Sequence, residues 1–472
     1  MERSDQGLNP LHSVRNPRKD FIVKAFLAYL VVFSSLWIQS LQAELLRVGS
    51  FDVDATTPAG SPLAYVVSKG ASTPLRCTGV VIAGKGKPIV LCAIDWIGLS
   101  NDGYKVFKTE LAKAAGSEPG RVALHALHQH DAPRCDFSAE KLLQAHGLKN
   151  VGFDGDHARK VIKDAAVAVK QALAKAREVT HLGIGRGIVE KVASNRRILG
   201  SNGKVHYTRW TATRDVKIRN FPVGTIDPEL KMLSFWNEDE ALAALTWDAT
   251  HPQSYYRVGL ATPDFPGLAR NARQEQTGVL HVHFNGAGGD VGAGKWNDGS
   301  HENRQVLADR VAAGMKLAWD NTEKTPVRAA DLDWRVEPVL LPMAKHLDED
   351  KLLRTIASDK VKPIDRFYAA KNLAWLRSCK AGIGVDLSCL RLGPARVLHM
   401  PGELLVEYQL NAQKLRPNLF VAMAAYGEYA PGYIGTKLAY EQGGYETSPG
   451  ASRVAPEVES VLMHAIHRLL EK

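Results

Sequence analysis

The sequence predicts an α/β protein in which mixed β-sheets are flanked by helices and one large domain carries the chemistry. Short apolar, β-branched runs alternate with stretches at helical spacing. Several of those runs stop at a polar residue beside Pro or Gly. The 472 residues, 45% hydrophobic and 23% charged, suffice for a substantial core.

Taken in order, residues 64–67, 78–83 and 89–94 read as strands, the last ending at Asp95. A helical pattern follows at 104–115, and a strand at 122–127 delivers His128-Gln129-His130. In such layers chemistry gathers at the carboxyl ends of strands, where Asp95 and His128 both fall. Residues 156–179 form an amphipathic helix whose basic residues make a solvated face. Further strands are expected at 183–188, 230–236 and 241–247, the last delivering His251, and at 279–284, which runs into the glycine-rich 286–294. The helical, polar stretch 345–379 reads as a surface cap or insertion. Strand 397–400 ends at Pro401-Gly402-Glu403, strand 419–424 follows, and 456–470 closes with a helix. No repeat or low-complexity linker interrupts the chain, so 44–472 is expected to be a single unit.

The first 43 residues read as a targeting segment. Basic residues (Arg15, Arg18, Lys19, Lys24) precede the apolar 25–38 and then Gln39-Ser-Leu-Gln-Ala43. That is the layout of a secretory signal cleaved after Ala43, with a retained anchor as the alternative. The expected location is secreted or periplasmic. The net charge of +10 is spread along the sequence and favours contact with anionic membrane surfaces. Basic runs interleaved with aromatics, which a nucleic-acid groove needs, are missing. Of the five cysteines, Cys379 and Cys389 bracket a Gly-containing loop and could pair; Cys77 and Cys92 read as small core residues. There is no C-x-x-C.

In a strand His128 and His130 point to the same side, and a loop starting at His128 can turn both rings toward one point. Two imidazoles are half of a zinc site, which takes about four ligands from His, carboxylate or thiolate. Neither the Asp-His continuation of metallo-β-lactamases nor a helical H-E-x-x-H is present. Three other segments end a strand with a polar group beside Pro or Gly: His251-Pro252, Pro401-Gly-Glu403 and Pro431-Gly-Tyr433. Singly, His251 can be a satisfied core histidine, Glu403 a helix-start carboxylate and Tyr433 a buried aromatic.

Together these segments resemble the zinc-bearing N-terminal catalytic domain of the neutral or alkaline non-lysosomal ceramidases. The matching segments, in the family's order, are Leu127-His-Gln-His-Asp-Ala-Pro133, Asn195-Arg196, His251-Pro252, Asp264-Phe-Pro-Gly267 and Pro401-Gly-Glu403. The series closes with Tyr433, Thr436, Tyr440, Tyr445 and Glu446. The resemblance implies Zn2+ held by His128, His251, Glu403 and Tyr433. It implies His130 as acid/base, with Arg196 and Tyr445 near the scissile amide and Tyr433 or Arg196 stabilising the oxyanion. The implied activity is hydrolysis of a linear amide in an N-acylated lipid or small molecule by zinc-activated water. Two departures soften the substrate expectation. Gly289-Asp-Val-Gly-Ala-Gly294 replaces the family's G-D-V-S-P-N, so Gly292 stands where its serine does. The chain also ends soon after the tyrosine stretch, without the C-terminal β-sandwich of full-length ceramidases. A non-catalytic lipid- or glycan-binding envelope protein and a zinc ester or phosphoester hydrolase remain the alternatives.

Overall fold

The computed structural model describes residues 45–471; the segment read as a signal, 1–43, lies outside the described residues. Three mixed sheets form the frame. In the first, the strands run in the order Val122–Ala126, Ile89–Ile94, Arg76–Ala83, Arg47–Asp54 and Arg177–Glu178. The second is ordered His281–Asn285, Glu240–Asp248, Glu229–Asn237, His181–Ile188 and Glu323–Pro326. The third is ordered Leu332–Val339, Val385–Leu392, Ala395–His399 and Phe420–Ala424.

Each sheet has one parallel pair at an edge and is otherwise antiparallel. The pairs are Ile89–Ile94 with Val122–Ala126, Glu240–Asp248 with His281–Asn285, and Ala395–His399 with Phe420–Ala424. Every residue of Ile89–Ile94, Val122–Ala126, His281–Asn285 and Phe420–Ala424 is buried. That is why these strands read as continuous runs and not as alternating ones. One core joins the three sheets through Val80, Leu91 and Ala123, then Leu245 and Phe284, then Val397 and Phe420. At ~1.5–3 kcal/mol for each fully buried large side chain, this shared layer is the main force holding the sheets together.

The carboxyl ends of the parallel pairs are also tied to one another by hydrogen bonds. Ala126 N–H donates to the Tyr426 carbonyl at 3.1 Å, and Ala425 N–H to the Asn285 carbonyl at 3.0 Å. Asn285 N–H donates to His125 Nε2 at 3.0 Å, which fills an acceptor on a ring buried between sheets. Three sets of strand ends therefore open onto one place.

Helices cover the outer faces. Helix Gly155–Ala174 starts where Asp154 caps the His157 N–H at 3.1 Å, and it buries Val161, Ile162, Ala165 and Val169 in the core it shares with the first sheet. It stops short of the expected 179 because Arg177–Glu178 joins the edge of that sheet. The expected strand at 64–67 is instead a turn closed by Leu63 N–H to the Val66 carbonyl at 2.8 Å. The pairing there is a bridge between Pro62 and Val67, and the turn packs against the site loops through Ala64 N–H to the Ala132 carbonyl at 2.9 Å. The stretch 345–379 forms two helices, Glu349–Ala357 and Pro363–Lys380. The second is more than a surface cap: it buries Phe367, Ala370, Leu373 and Leu376 in the core under the first sheet. Helices Asp264–Thr277 and His301–Asp320, unforeseen in the sequence, pack beside the second sheet.

Cys379 and Cys389 do not pair; both are free thiols. The loop between them ends at Val385, and Cys389 lies further along the strand, facing the core rather than the loop mouth. Cys77 and Cys92 are core residues on adjacent strands, as read from the sequence. Among the described residues no helix is long and apolar enough to cross a membrane.

Candidate metal centre

The centre begins where the first sheet's parallel pair runs out. Leu127 and His128 still donate their N–H groups to Ile94 and Trp96 carbonyls, both at 2.8 Å, and then the backbone turns at His128 with φ +66°. A non-glycine residue in the left-handed region costs on the order of 1 kcal/mol or more, and such strain gathers at sites where direction matters. The turn brings His128 and His130 to one point, with ring centroids 5.0 Å apart. His251, three residues beyond the end of the strand Glu240–Asp248, completes the cluster at 4.8 Å from His128 and 5.2 Å from His130. All three are buried, and one ring nitrogen from each lies within 4.8 Å of the others, so the three can hold a metal ion.

Glu403 and Tyr433 come from the third sheet's loops. They face each other in a two-residue parallel ladder, Glu403–Leu404 against Tyr433–Ile434. Gly402 and Gly432, immediately before them, take φ of +62° and +67°, and a Cβ on either would sit 2.6 Å and 2.4 Å from a carbonyl oxygen, so only glycine fits. The Tyr429 hydroxyl donates to Glu403 Oε1 at 2.6 Å. Burial works against a charged Glu403, but His128 and hydrogen bonds from Tyr429 and Tyr433 outweigh it and hold the carboxyl below its ordinary range.

The donor set fits a cation. His128 Nδ1 lies 2.5 Å from the Ile97 carbonyl, which can only accept, so that nitrogen carries a proton and Nε2 is the atom left to face the cluster. Nε2 faces Glu403 Oε2 at 3.2 Å. An imidazole nitrogen and a carboxylate oxygen at that distance share a proton or a cation. Glu403 Oε2 and His251 Nδ1 are both buried without a hydrogen-bond partner, 3.8 Å apart. Imidazole nitrogen and carboxylate oxygen are the donors zinc takes.

His130 is set apart from the other two imidazoles by its neighbours. Its Nδ1 is held by the Tyr65 hydroxyl at 3.0 Å and by Gln253 at 3.1 Å, while Nε2 faces His251 Nε2 at 3.1 Å. Burial, then His128 and the surrounding arginines, push its pKa well below the ordinary histidine value, so the ring is neutral. Tyr65 and Gln253 were not legible as site residues; the second follows His251 by two positions, the only signal available.

Arg196 and Tyr445 lie on the other side of Tyr433. Arg196 Nη1 donates to the Tyr433 hydroxyl at 3.4 Å, and its Nη2 pairs with Glu446 at 3.1 Å. Glu446, fully buried, also holds Arg197 at 3.0 Å, which explains a glutamate directly after Tyr445. Tyr445 is 41% exposed and packs on Tyr433 and Trp210, with ring centroids at 5.5 and 5.1 Å. Asp290, from the glycine-rich loop, receives Asn195 Nδ2 at 2.8 Å and Val406 N–H at 2.9 Å and so anchors the strand Ser194–Asn195 that leads into Arg196. Asp95 lies outside the cluster: its carboxylate is clamped by Arg270 at 2.6 and 2.8 Å, fastening helix Asp264–Thr277 to the strand end. Asp264 receives Ser254 N–H at 3.1 Å and shapes the loop after His251. Thr436 caps a helix through the Ala439 N–H at 3.1 Å. These last three are structural.

A cavity of about 420 Å³ adjoins the cluster, lined by Glu403, Tyr429, Tyr433 and Tyr445 together with Arg134, Phe367, Tyr368, Lys371 and Arg453.

An α/β frame that gathers three histidines and a glutamate at the ends of parallel strands, beside a cavity, defines a candidate metalloprotein. The frame itself is the fold of the neutral ceramidases. A ceramidase complexed with C2 superposes with a TM-score of 0.65 at 17% identity, covering 90% of this chain and 75% of that one. Neutral ceramidase from Pseudomonas aeruginosa superposes with a TM-score of 0.65 at 18% identity, covering 90% and 74%. No family model and no curated relative matches the sequence. The fold expected from the ordered motifs is thus the fold found.

Proposed function

We propose that the protein is a zinc-dependent hydrolase that cleaves an amide bond in an N-acylated substrate, the (sphingo)lipid class being the one its fold relatives suggest. The observation that carries this reading is the convergence of His128 Nε2 on the buried Glu403 Oε2 at 3.2 Å, beside His251 and a cavity. His128, His251, Glu403 and Tyr433 would hold the zinc. When bound, zinc supplies a Lewis acid that makes water a competent nucleophile near neutral pH.

The protein's own groups do the rest. Neutral His130, whose Nδ1 accepts from Gln253 Nε2–H, carries its proton at Nε2; it gives that proton to the leaving amine and takes back the one the attacking water loses. Arg196, held charged by Glu446, and the Tyr433 hydroxyl beside it stabilise negative charge developing on the carbonyl oxygen. Tyr445, at the cavity wall, orients the substrate. A second reading has its own observation: the convergence of three imidazoles makes His130 a third nitrogen ligand.

The test is metal analysis of the purified protein together with turnover of N-acyl-sphingosine, N-acyl amino acids and simple esters. One zinc per chain, lost in His128→Ala and Glu403→Gln along with amide hydrolysis, is the expected result. Wild-type protein without stoichiometric zinc, or variants with full activity, would remove the proposal.

A further inference from the structure

Resting on the hydrolase reading, we infer that the cavity beside Glu403 receives an anionic group, a carboxylate or phosphate, carried by the same molecule as the scissile amide. Three cations line it: Arg134, Lys371 and Arg453. Lys371 is only 7% exposed, its ammonium stands 4.3 Å from the centre of the Tyr429 ring, and it has no ion pair or hydrogen-bond acceptor among the described residues. Arg134 spends one nitrogen on the Ala64 carbonyl at 2.8 Å, and Arg453 bonds Asn372 at 3.1 Å and the Ala451 carbonyl; neither meets a carboxylate.

The acids that act on Lys371, Asp136 and Glu428, are engaged by other donors. Asp136 is committed to Asn101 at 2.7 Å and to the Ala139 N–H at 3.0 Å. Glu428 accepts from Asn101 N–H at 2.9 Å and Ala430 N–H at 3.0 Å. Burial, Arg453 and Arg134 together push Lys371 down to about 7, against the weaker pull of Asp136 and Glu428. A buried cation without a counter-charge is costly, and the cost is relieved when a ligand brings one. Two guanidinium forks and an ammonium match a carboxylate or a phosphate, and leave a purely hydrocarbon group without a partner. Tyr429 connects the two regions: its ring lies under Lys371 and its hydroxyl holds Glu403, so the anion lies within one side chain of the reacting centre.

Calorimetric titration of the zinc-loaded chain with N-acetylglycine, N-acetyl-phosphoethanolamine and uncharged N-acetylethanolamine tests this. At least one anion should bind about tenfold or more tighter than the neutral probe, and which one does names the anion. Lys371→Met and, separately, Arg134→Gln should shrink that ratio toward one, and Lys371→Arg should restore it. His128→Ala should abolish hydrolysis yet keep the ratio, so failure of the hydrolase reading shows in turnover and failure of this inference shows in binding. Equal affinity for all three probes overturns it, and so does a preference that disappears in His128→Ala but survives both cation-removing substitutions.

Discussion

Glu403 and Tyr433 stand opposite each other in a parallel ladder only two residues long, each set in place by a glycine with a left-handed backbone. Their separation is therefore fixed by backbone pairing and not by side-chain choice. Gly402→Ala and Gly432→Ala should each cost about 1–3 kcal/mol of stability and reduce bound zinc, because the added Cβ meets a carbonyl oxygen. Thermal melts and metal analysis check this; alanine variants with wild-type values in both would show that the ladder tolerates movement.

His130→Ala separates the two roles open to that ring. As proton carrier, its loss should lower kcat by roughly 10²- to 10⁴-fold while zinc stays stoichiometric. If zinc leaves with it, His130 is a ligand.

Gly292 has room for the side chain it lacks. A Cβ there would meet Arg196 Cδ at 3.5 Å and Thr211 at 3.6 and 3.7 Å, ordinary contacts, at a position without positive φ. Gly292→Ser should fold with stability within about 1 kcal/mol of wild type. A drop well beyond that in a denaturant titration would mean the loop is closed to the relatives' residue.

Stability should fall on mild acidification. Burial pushes His283 and His399 down to about 3, from an ordinary value of 6.5. A depressed folded-state pKa contributes stability that is complete above pH 6.5 and lost as pH falls toward 3, because only the unfolded chain takes up the proton in that window. Each ring adds a slope of about 1.4 kcal/mol per pH unit there. His283→Gln should flatten the dependence of Tm on pH between 6.5 and 4; an unchanged slope would show that His283 is not neutral in the fold.

Asp95→Asn should destabilise the chain by about 3–5 kcal/mol, since it leaves the Arg270 guanidinium buried without its counter-ion. Chemical denaturation measures it, and a loss below 1 kcal/mol would show that water or another group replaces the carboxylate.

What the sequence revealed followed from burial on both faces. The runs 122–127, 241–247 and 397–400 become the strands Val122–Ala126, Glu240–Asp248 and Ala395–His399, each in a parallel pair, and their continuous apolar character suffices to recognise them. The polar residues after them were legible as a site because each strand end is punctuated by Pro or Gly. Less was legible where a residue's role depends on a distant partner. Asp95 sits at a strand end as a ligand would, yet Arg270, on a helix the sequence did not reveal, takes both its oxygens. Tyr65 lies in a segment read as a strand, and only the fold of the turn brings its hydroxyl to His130. Lys371 looked like one more charge on a polar helix; its burial depends on the core under the first sheet.

Helix Pro363–Lys380 supplies Phe367, Tyr368, Lys371 and Asn372 to the cavity and none of the clustered histidines, Glu403 or Tyr433. Under the proposed function, the groups assigned to hydrolysis and the lysine assigned to the anion lie on separate stretches of chain. Substitutions on that helix would redirect which molecules the cavity admits while the metal-binding loops stay unchanged, with Arg134 and Arg453 keeping the rest of its basic lining.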